Sequence, residues 1–548
     1  MNWKVKRSGR DFLGYLLLGI SVAMIGRSLT LCFSSDIWYD ELFTVGMIKY
    51  SYGELINFTA RDVHPPLYYM IVKFFVDLCK LIAPEVSAVA AAKIVSVFPY
   101  FVLLLYSVTF IRKRFGVFAG GLSIFCVLAM PQLSSYTVEM RMYSWALLFV
   151  TAAFIHGYEA VRTLDDGEGV EEGRRIIAKQ KLHGYIMVCY SLAAAYTQYF
   201  AAVAAVMVYL YILFVLFRKD RRRIREWLWW VSISAVCYTP WLLVLYRQIT
   251  QVNANYWILP LSWRTLGGCV KFLMKPAFTS EGLNVALAVV LAVVYAVVVF
   301  YNVAKLFHYR KIKKEDIANV GETIIENRKD DVNKEQTVFM AAGVGVLLGV
   351  VVFGFAASVI VRPVFVYRYM IPAAGCFWLS FAVGMQRIWQ SDQGRDGFRY
   401  LQAAVILLVV VIGLRNYRAF RGEEEYKIVL MEQTEEALSS IAPDDVVVYN
   451  FDQVQAVTSY YLPMDTESYL WCGSPEILIQ DIVRPFSVIE DTKMLKKWCE
   501  EGRTVWFAGS FNSREDIVED WRNSGLQIEE TGSYLLERYW FNLYKISI

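Results

Sequence analysis

Acidic side chains and a histidine cluster in a short polar segment that follows the first long apolar run of the chain. This segment, residues 38–70, contains Asp40, Glu41, Asp62 and His64. A carboxylate can serve as a general base towards a hydroxyl or an amine. Carboxylate oxygens and imidazole nitrogens can also bind a divalent cation. We therefore predict that Asp40 and Glu41 are catalytic residues. Asp62 and His64 are candidate ligands of a divalent cation, although their spacing alone does not require a metal.

Two later segments contribute side chains of the types that bind phosphate. The sequence PQLSSYTVEMRMYSW contains Glu139 and Arg141, and the sequence VRPVFVYRYMIP contains Arg368 and Tyr369. A planar guanidinium donates two parallel, charge-assisted hydrogen bonds to a phosphate. The residues that we predict to bind a phosphate-bearing substrate are His64, Glu139, Arg141, Arg368 and Tyr369.

The rest of the chain, which contains long apolar runs, must position these residues. The apolar runs also identify the class of protein. Of the 548 residues, 57% are hydrophobic and only 19% are charged. Runs such as 283–304 and 337–361 are long enough to cross a bilayer as helices. A helix satisfies its own backbone hydrogen bonds in lipid, so we predict a polytopic α-helical membrane protein. The net charge of +4 is too small to indicate a nucleic-acid partner.

The distribution of Lys and Arg predicts the orientation. The basic start MNWKVKRSGR indicates a cytoplasmic N-terminus and a retained first helix, so the loop of residues 34–86 faces outside. The apolar stretch 66–83 carries Lys73, Asp77 and Lys80 as a polar stripe, which favours an interfacial helix over a span. The eleven predicted spans are 12–33, 87–111, 116–132, 141–160, 182–197, 199–217, 226–247, 282–306, 337–361, 366–386 and 399–414.

The chain changes character near residue 415. Residues 415–548 are polar, and they contain a helical stretch at 423–441, the strand patterns DDVVVYN and RTVWFAGSF, and a strand pair near the end. We predict two domains, a membrane module at 1–414 and a small α/β domain at 415–548. An odd number of spans places the second domain outside the cytoplasm. Cys472 and Cys499 lie in it and can either pair or remain free.

On this topology the candidate residues converge on the outer surface of the membrane. Ionisable groups at the bilayer boundary are costly, which favours a functional role for them. A base and a phosphate-binding cluster beside lipid fit glycosyl transfer from a polyprenyl-phosphate-linked sugar. The acceptor class, whether lipid, glycan or protein, is left open by the sequence, as are the sugar and the polyprenyl length.

The arrangement resembles a known group of enzymes. An Asp-Glu pair ahead of DVHPPL, both in the first outer loop, resembles the protein O-mannosyltransferases and lipid A aminoarabinose transferases of the GT-C superfamily. EMRMYS and RPVFVYRYMIP are similar to bacterial members, so the resemblance spans residues 1 to about 390. It implies an inverting, polyprenyl-phosphate-dependent glycosyltransferase of the cell membrane. It also implies a base at Asp40, a donor-phosphate or metal contact at His64, and a site role for Glu139.

Each candidate also has a structural interpretation. Asp40 and Glu41 are suited to the first turn of a helix, and Glu139 and Arg141 could form an ion pair at a helix start. Packing in an aromatic belt is the expected role of Tyr143, Gln198, Tyr199 and Tyr369, and Arg362 and Arg368 could anchor the membrane interface. At the level of the whole protein, the alternative is a membrane transporter or flippase for a lipid-linked or small substrate.

Overall fold

The membrane part of the protein consists of long helices, and the segments that connect them at one end form a polar cluster. The computed structural model describes residues 3–34, 36–162, 170–251, 258, 260–312, 320–391, 396–473, 482–536 and 539–548. The long helices are α1 (Trp3–Leu31), α5 (Ala88–Tyr106), α7 (Val117–Ala129), α8 (Tyr143–Val161), α9 (Val170–Ala195), α10 (Tyr199–Lys219), α11 (Ile224–Gln251), α13 (Glu281–Ile312), α14 (Val320–Ile360), α15 (Ile371–Ser391) and α16 (Asp396–Leu438). A π-helical segment, Ser107–Ile111, joins α5 to the short helix α6 (Arg112–Phe115).

Within the described ranges, eight helices are long and apolar enough to cross a membrane. They are α1, α5 with α6, α8, α10, α11, α13, α14 and α16. The other three predicted spans are also helical, but α7 has only 13 residues, and α9 and α15 are long enough but are not among the helices apolar enough to be candidate spans. The polytopic helical fold is therefore confirmed, whereas the count of eleven spans stays a prediction.

Helix α8 is the centre of the bundle. Every one of its residues is buried, and it packs against α5, α9, α10 and α15. At the periphery, α1 crosses α7 so closely that a Cβ atom on Gly121 would lie 2.3 Å from the carbonyl oxygen of Gly14. Small residues permit such close backbone approach between membrane helices.

The first outer loop contains three short helices, α2 (Tyr39–Met47), α3 (Tyr52–Arg61) and α4 (Leu67–Ile82). Ser51 and Glu54 form a capping box at the start of α3. Helix α4 buries Tyr68, Tyr69, Val72 and Val76 on one face. Its opposite face exposes Phe74, Leu78, Leu81 and Ile82, and Lys73 pairs with Asp77 at 3.0 Å. This amphipathic pattern is the one expected of a helix at the membrane interface.

The C-terminal residues form a six-stranded mixed sheet with helices. Its strands are β1 (Val446–Tyr449), β2 (Glu467–Trp471), β3 (Ser487–Ile489), β4 (Val505–Ser510), β5 (Gln527–Leu536) and β6 (Tyr539–Ser547), in the order β3-β2-β1-β4-β6-β5. The first four strands are parallel, and β6 is antiparallel to both neighbours. The helices are α17 (Asp452–Ser459), α18 (Thr492–Glu500) and α19 (Ser513–Asn523). The predicted small α/β region is confirmed, and Cys472 and Cys499 are both free thiols.

Several predicted boundaries were wrong. Helix α16 is continuous from Asp396 to Leu438, so the helices predicted at 399–414 and 423–441 are one helix, and the domain boundary at 415 lies inside it. The predicted tenth span began too early, because residues 367–370 form a 3₁₀ turn before α15. An unpredicted helix, α12 (Trp263–Met274), precedes α13. Residues 163–169, 313–319 and 392–395 of the predicted cytoplasmic loops lie outside the described residues.

Candidate active site

Asp40 lies in the first turn of α2, directly after the aromatic pair Trp38 and Tyr39. Its Oδ2 atom accepts a hydrogen bond from Nη1 of Arg368 at 2.9 Å. The two residues are 328 positions apart in the chain, and both side chains are 21% exposed. The 3₁₀ turn before α15 thus delivers Arg368 to the first outer loop. A ligand can reach this ion pair because neither partner is fully buried.

Arg141 joins the loop between α7 and α8 (residues 130–142, the second predicted outer loop) to the first predicted outer loop. Its Nη1 atom donates to the backbone oxygen of Asp40 at 2.8 Å and contacts the hydroxyl of Tyr69 at 3.5 Å. The side chain is almost completely buried. Its Nε atom has no hydrogen-bond partner among the described residues. Arg141 therefore brings a buried positive charge to the backbone of Asp40, whose carboxylate is partly exposed.

The carboxylate of Asp40 is held in its ionised form. Burial by itself would raise the pKa of Asp40. The positive charges of Arg141 and Arg368, the hydrogen bond from Arg368 and the charge of His64 act in the opposite direction and are together larger, so the pKa lies below its ordinary value. Asp40 is consequently negative at neutral pH.

Glu41 occupies a very different environment. It is buried, its Oε1 accepts the backbone N–H of Met140 at 2.7 Å, and its Oε2 accepts that of Trp38 at 3.2 Å. Burial raises the pKa of Glu41 to about 8, although Lys93 and the hydrogen bond from Met140 lower it. Both carboxyl oxygens thus bind backbone, and the side chain ties α2 to the second outer loop. Its predicted catalytic role stays a prediction, and this geometry favours a supporting one.

Asp62 and His64 form a pair of their own at the other side of the cluster. Nδ1 of His64 lies 3.0 Å from Oδ2 of Asp62. Burial raises the pKa of Asp62, but the charge and hydrogen bond of His64 outweigh this effect and the net pKa is lowered. Gln248, on α11, donates to the backbone oxygens of Thr59 and Asp62. The pairing leaves Nε2 as the His64 nitrogen that can contact a ligand.

Glu139 lies in the same electrostatic field. Burial raises the pKa of Glu139 to about 7, against the lowering effect of Arg141 and Arg368. Asp40 raises it further, and Lys427 of α16 lowers it. Helix α16 packs against the 3₁₀ turn at Ser134–Thr137, just before Glu139. The long C-terminal extension of α16 therefore brings a lysine towards the cluster.

The divalent-cation site predicted at Asp62 and His64 stays a prediction. Within the part of the chain that the structure describes, no group of three or more His, Cys, Asp or Glu side chains is arranged to hold a metal ion. Asp62 binds His64, and Asp40 binds Arg368, so each carboxylate already has a positive or hydrogen-bonding partner. We derive no chemical step through a metal.

Two adjacent cavities lie beside these residues. The smaller, of about 140 Å³, is lined by His64, Gln198, Tyr199, Arg362 and Tyr369, among others. Tyr369 stacks on Phe200 with ring centroids 4.5 Å apart. The larger is an apolar cleft of about 750 Å³ between α9, α10, α11 and α14. The residues that line both cavities are Tyr199, Phe200, Leu245, Ile249, Arg362 and Val364.

The whole fold is similar to that of a solved membrane enzyme. ArnT from Cupriavidus metallidurans, bound to undecaprenyl phosphate, matches with a TM-score of 0.53 and 12% sequence identity over 97% of this chain and 98% of that chain. ArnT is a lipid A aminoarabinose transferase of the GT-C superfamily. This chain has the GT-C fold. The match therefore confirms the fold class that the sequence resemblance implied.

Other GT-C structures match more weakly. ArnT from the same organism in the apo state gives a TM-score of 0.43 at 13% identity, over 97% of this chain and 98% of that chain. The oligosaccharyltransferase AglB from Archaeoglobus fulgidus, in complex with an inhibitory peptide and a dolichol-phosphate, gives 0.37 at 10% identity, over 89% and 69%. These two scores are below the level at which a shared fold is inferred. No protein-family model and no curated protein sequence matches the chain.

The GT-C fold brings most of the predicted residues together. Asp40, Arg141 and Arg368 are joined by direct contacts, and Glu139 lies in their field. His64 and Tyr369 line the small cavity beside them. Tyr143 lies beneath Arg368, with the guanidinium carbon 5.9 Å from the ring centroid. Their roles in binding and catalysis stay predictions.

Sequence reasoning missed Gln248 and the buried pair of Asp36 and Lys93. Gln248 is one of two glutamines in the last turns of α11, and its side-chain N–H groups donate to backbone oxygens. The only available signal for Lys93 was a lone charge inside the second predicted span. A buried lysine in such a place needs a partner, but the sequence does not say which acid provides it.

Proposed function

We propose that this protein is an integral-membrane glycosyltransferase that transfers a sugar from a polyprenyl-phosphate-linked donor to an acceptor at the outer face of the cytoplasmic membrane. One observation carries the proposal. The apolar cleft adjoins a small cavity that is lined by His64 and Arg362, and the two share six lining residues. An apolar tail joined to an anionic headgroup matches this sequence of environments. The ArnT structure with this fold binds undecaprenyl phosphate, a lipid of the same chemistry.

The dimensions of the cleft suit a long isoprenoid chain. Its lining on α11 extends from Trp227 to Ile249. These residues are 22 positions apart, which corresponds to about 33 Å along an α-helix. The hydrocarbon core of a bilayer is about 30 Å thick. A polyprenyl chain in the cleft would therefore lie along the membrane normal, with its phosphate at the outer end.

Positive and hydrogen-bonding groups surround the place proposed for the phosphate. Arg362 lines both cavities, and His64 and Tyr369 line the smaller one. Arg368 precedes Tyr369 in the chain, and its guanidinium carries more N–H groups than the one that binds Asp40. A phosphate that recruited Arg368 would weaken its hold on Asp40. The basicity of Asp40 would then rise when the donor binds.

Asp40 is the proposed general base. The acceptor hydroxyl or amine gives its proton to the Asp40 carboxylate while its oxygen or nitrogen forms a bond to the anomeric carbon. The bond between that carbon and the phosphate oxygen breaks, and its electron pair stays on the phosphate. Polyprenyl phosphate is the leaving group, and the arginines balance its charge. A single displacement of this kind inverts the configuration of the anomeric carbon.

Glu41 and Glu139 complete the proposed site without acting as the base. The backbone hydrogen bonds of Glu41 hold α2 against the second outer loop. With a pKa near 7, Glu139 is suited to contact a sugar hydroxyl as either donor or acceptor. The sugar and the acceptor, whether lipid, glycan or protein, follow from contacts that the proposal does not specify. The N-terminus is proposed to be cytoplasmic and the α/β domain extracytoplasmic.

The transporter alternative has weaker support. A transporter needs a polar path through the membrane. The cleft beneath the cluster is instead lined mainly by Leu, Ile, Val, Ala and aromatic side chains. Ser191 and Ser234 are its few hydroxyl groups away from the aromatic residues. An apolar lining of this kind stabilises a lipid tail and opposes the passage of a charged solute.

A steric block in the cleft tests the proposal. Val206 lines the cleft on α10 and is 52% exposed, whereas Val297 on α13 is 58% exposed and does not line it. We expect Val206→Trp to weaken polyprenyl-phosphate binding by at least about tenfold, or roughly 1.4 kcal/mol. The matched control Val297→Trp should bind like the wild type. The measurement is a titration of purified protein with a polyprenyl phosphate followed by native mass spectrometry, and equal affinities of the two variants would contradict the proposal.

A further inference from the structure

A buried ion pair connects the second membrane helix to the segment that leads into α2. Nζ of Lys93, on α5, donates to Oδ1 of Asp36 at 2.6 Å and to Oγ of Ser34 at 2.8 Å. The side chains of Lys93 and Asp36 are only 3% and 6% exposed. One ammonium group thus fixes two residues of a segment that is not helical. Asp36 is four residues before Asp40.

Such a pair contributes little to stability. Removing two charges from water costs several kcal/mol per ion, and the attraction between them only roughly compensates for this. Replacement by well-packed apolar residues is often neutral or stabilising. The best-attested benefit of a buried polar pair is a unique geometry. The role of this pair is therefore expected to lie in the geometry that it defines.

The segment between α1 and α2 decides where Asp40 points. α1 ends at Leu31 and α2 begins at Tyr39, so the orientation of α2 depends on contacts that the linking residues make with other parts of the chain. Among the described residues of this segment, Ser34 and Asp36 are held by Lys93. The backbone N–H of Ile37 donates to the hydroxyl of Tyr461 at 3.2 Å, and Glu41 accepts the N–H of Trp38. The charge of Lys93 also acts on Glu41.

We propose that Lys93 and Asp36 are positioning residues that aim Asp40 at its substrate. The inference rests on the proposed function, because it assigns the pair a role in the reaction of Asp40. Neither residue touches the proposed substrate cavities. They act through the backbone of residues 34–40, and a misplacement of about 1 Å in such a site can lower turnover by about 10²-fold.

The first test is Lys93→Met, which keeps the length of the side chain and removes its charge. We expect kcat to fall by about 10- to 100-fold while the KM for the lipid-linked donor changes less than about threefold. Hydrogen–deuterium exchange of residues 36–47 should increase in the same variant without any substrate. The matched control is Lys275→Met, which removes an exposed lysine that pairs with Glu281 at 3.0 Å. It should leave both measurements unchanged.

A double variant separates positioning from stability. Lys93→Met alone leaves Asp36 charged and buried, which lowers the melting temperature. In Asp36→Asn/Lys93→Met no uncompensated charge remains, so the melting temperature should recover towards that of the wild type. If the pair positions Asp40, kcat stays low and exchange of residues 36–47 stays high in the double variant. Recovery of kcat together with stability would overturn the proposal.

The exchange measurement also separates this inference from the proposed function. A wild-type protein that transfers no sugar would contradict the glycosyltransferase proposal, and exchange would still report on the segment. Unchanged exchange in Lys93→Met would overturn the positioning role, whatever the activity. The milder Ser34→Ala removes one of the two Lys93 contacts and should give a smaller change of the same sign. Ser34→Ala replaces Lys93→Met as the test variant if Lys93→Met does not fold.

Discussion

Two adjacent carboxylates at the start of α2 have opposite electrostatic environments. Asp40 faces Arg368 and is only partly buried, so its pKa is lowered. Glu41 is buried against the backbone of the second outer loop, so burial raises its pKa to about 8. Environments that push two pKa values apart commonly separate two roles. Here they favour Asp40 as the ionised base and Glu41 as the support.

The raised pKa of Glu41 predicts a pH dependence of stability. A carboxyl group with a pKa near 4.5 in the unfolded chain and about 8 in the folded protein binds more protons when folded. Its contribution is therefore complete below about pH 4.5 and is lost as the pH rises to about 8. Glu41→Gln cannot ionise and replaces one acceptor oxygen with an amide nitrogen. We expect the variant to melt below the wild type at pH 5, with a gap that narrows towards pH 8.

Thermal unfolding in detergent at several pH values measures this gap. Glu54→Gln is the control, because Glu54 caps the exposed start of α3 and its pKa is lowered rather than raised. A gap between Glu41→Gln and the wild type that is constant from pH 5 to pH 8 would show that Glu41 is ionised throughout. That result would restore it as a candidate base.

The sequence was sufficient to find the residues that carry unusual chemistry, and insufficient for those that support them. Asp40, His64 and Arg368 stand out because charged groups are rare beside apolar runs. Gln248 and Asp36 do not stand out, because their importance depends on which backbone or side chain faces them. Such long-range partners are set by helix packing, and the local pattern does not encode them.

At the scale of elements, apolar periodicity located the helices and misjudged where several of them end. The pattern for the last span stopped at residue 414, because charged residues begin there, yet α16 continues to Leu438. Polar residues prolong a helix without difficulty once it has left the membrane. Conversely, the predicted span at 366–386 included the 3₁₀ turn that contains Arg368. The turn was predicted as part of the span because its Tyr and Met residues are apolar or aromatic.

Helix α4 provides a prediction about topology. Its amphipathic pattern favours a position along the outer face, which would leave Glu85, in the exposed link to α5, outside the membrane. A cysteine at this position should react with a membrane-impermeant maleimide in intact cells, in a background without the exposed native cysteines. Lys113→Cys, in the basic loop after α5, should react only after permeabilisation. The reverse pattern would mean that α4 spans the membrane.

At the scale of the whole molecule, the α/β region is docked on the helix that carries Asp40. Helix α17 packs against α2. A Cβ atom on Gly46 would lie 2.3 Å from the side chain of Ile482, so only glycine allows this approach. Helix α16 connects the two regions and is fixed to α1 by the Tyr417 hydroxyl, which donates to the backbone oxygen of Met24 at 2.6 Å. The contacts favour a shared function for both regions.

Chemical labelling of a native cysteine tests on which side of the membrane the α/β region lies. Cys472 follows β2, is exposed and is unpaired. If the region is extracytoplasmic, Cys472 should react with an impermeant maleimide in spheroplasts. Cys472→Ser should abolish that signal and identify its source. Labelling of Cys472 only after lysis would place the region in the cytoplasm, on the opposite side from the one that the odd number of spans predicts.

The central claim is that Asp40 is the base in sugar transfer from a polyprenyl-phosphate donor, and Asp40→Asn tests it most directly. This variant keeps the shape of the side chain and loses its basicity, so turnover in proteoliposomes with the lipid-linked sugar should fall by ~10²–10⁴. Donor affinity should stay within about threefold, whereas Arg368→Ala should weaken it by more than about tenfold. Asp77→Asn, on the exposed face of α4, is the control for the outer loop. Wild-type turnover in Asp40→Asn would remove Asp40 from the mechanism.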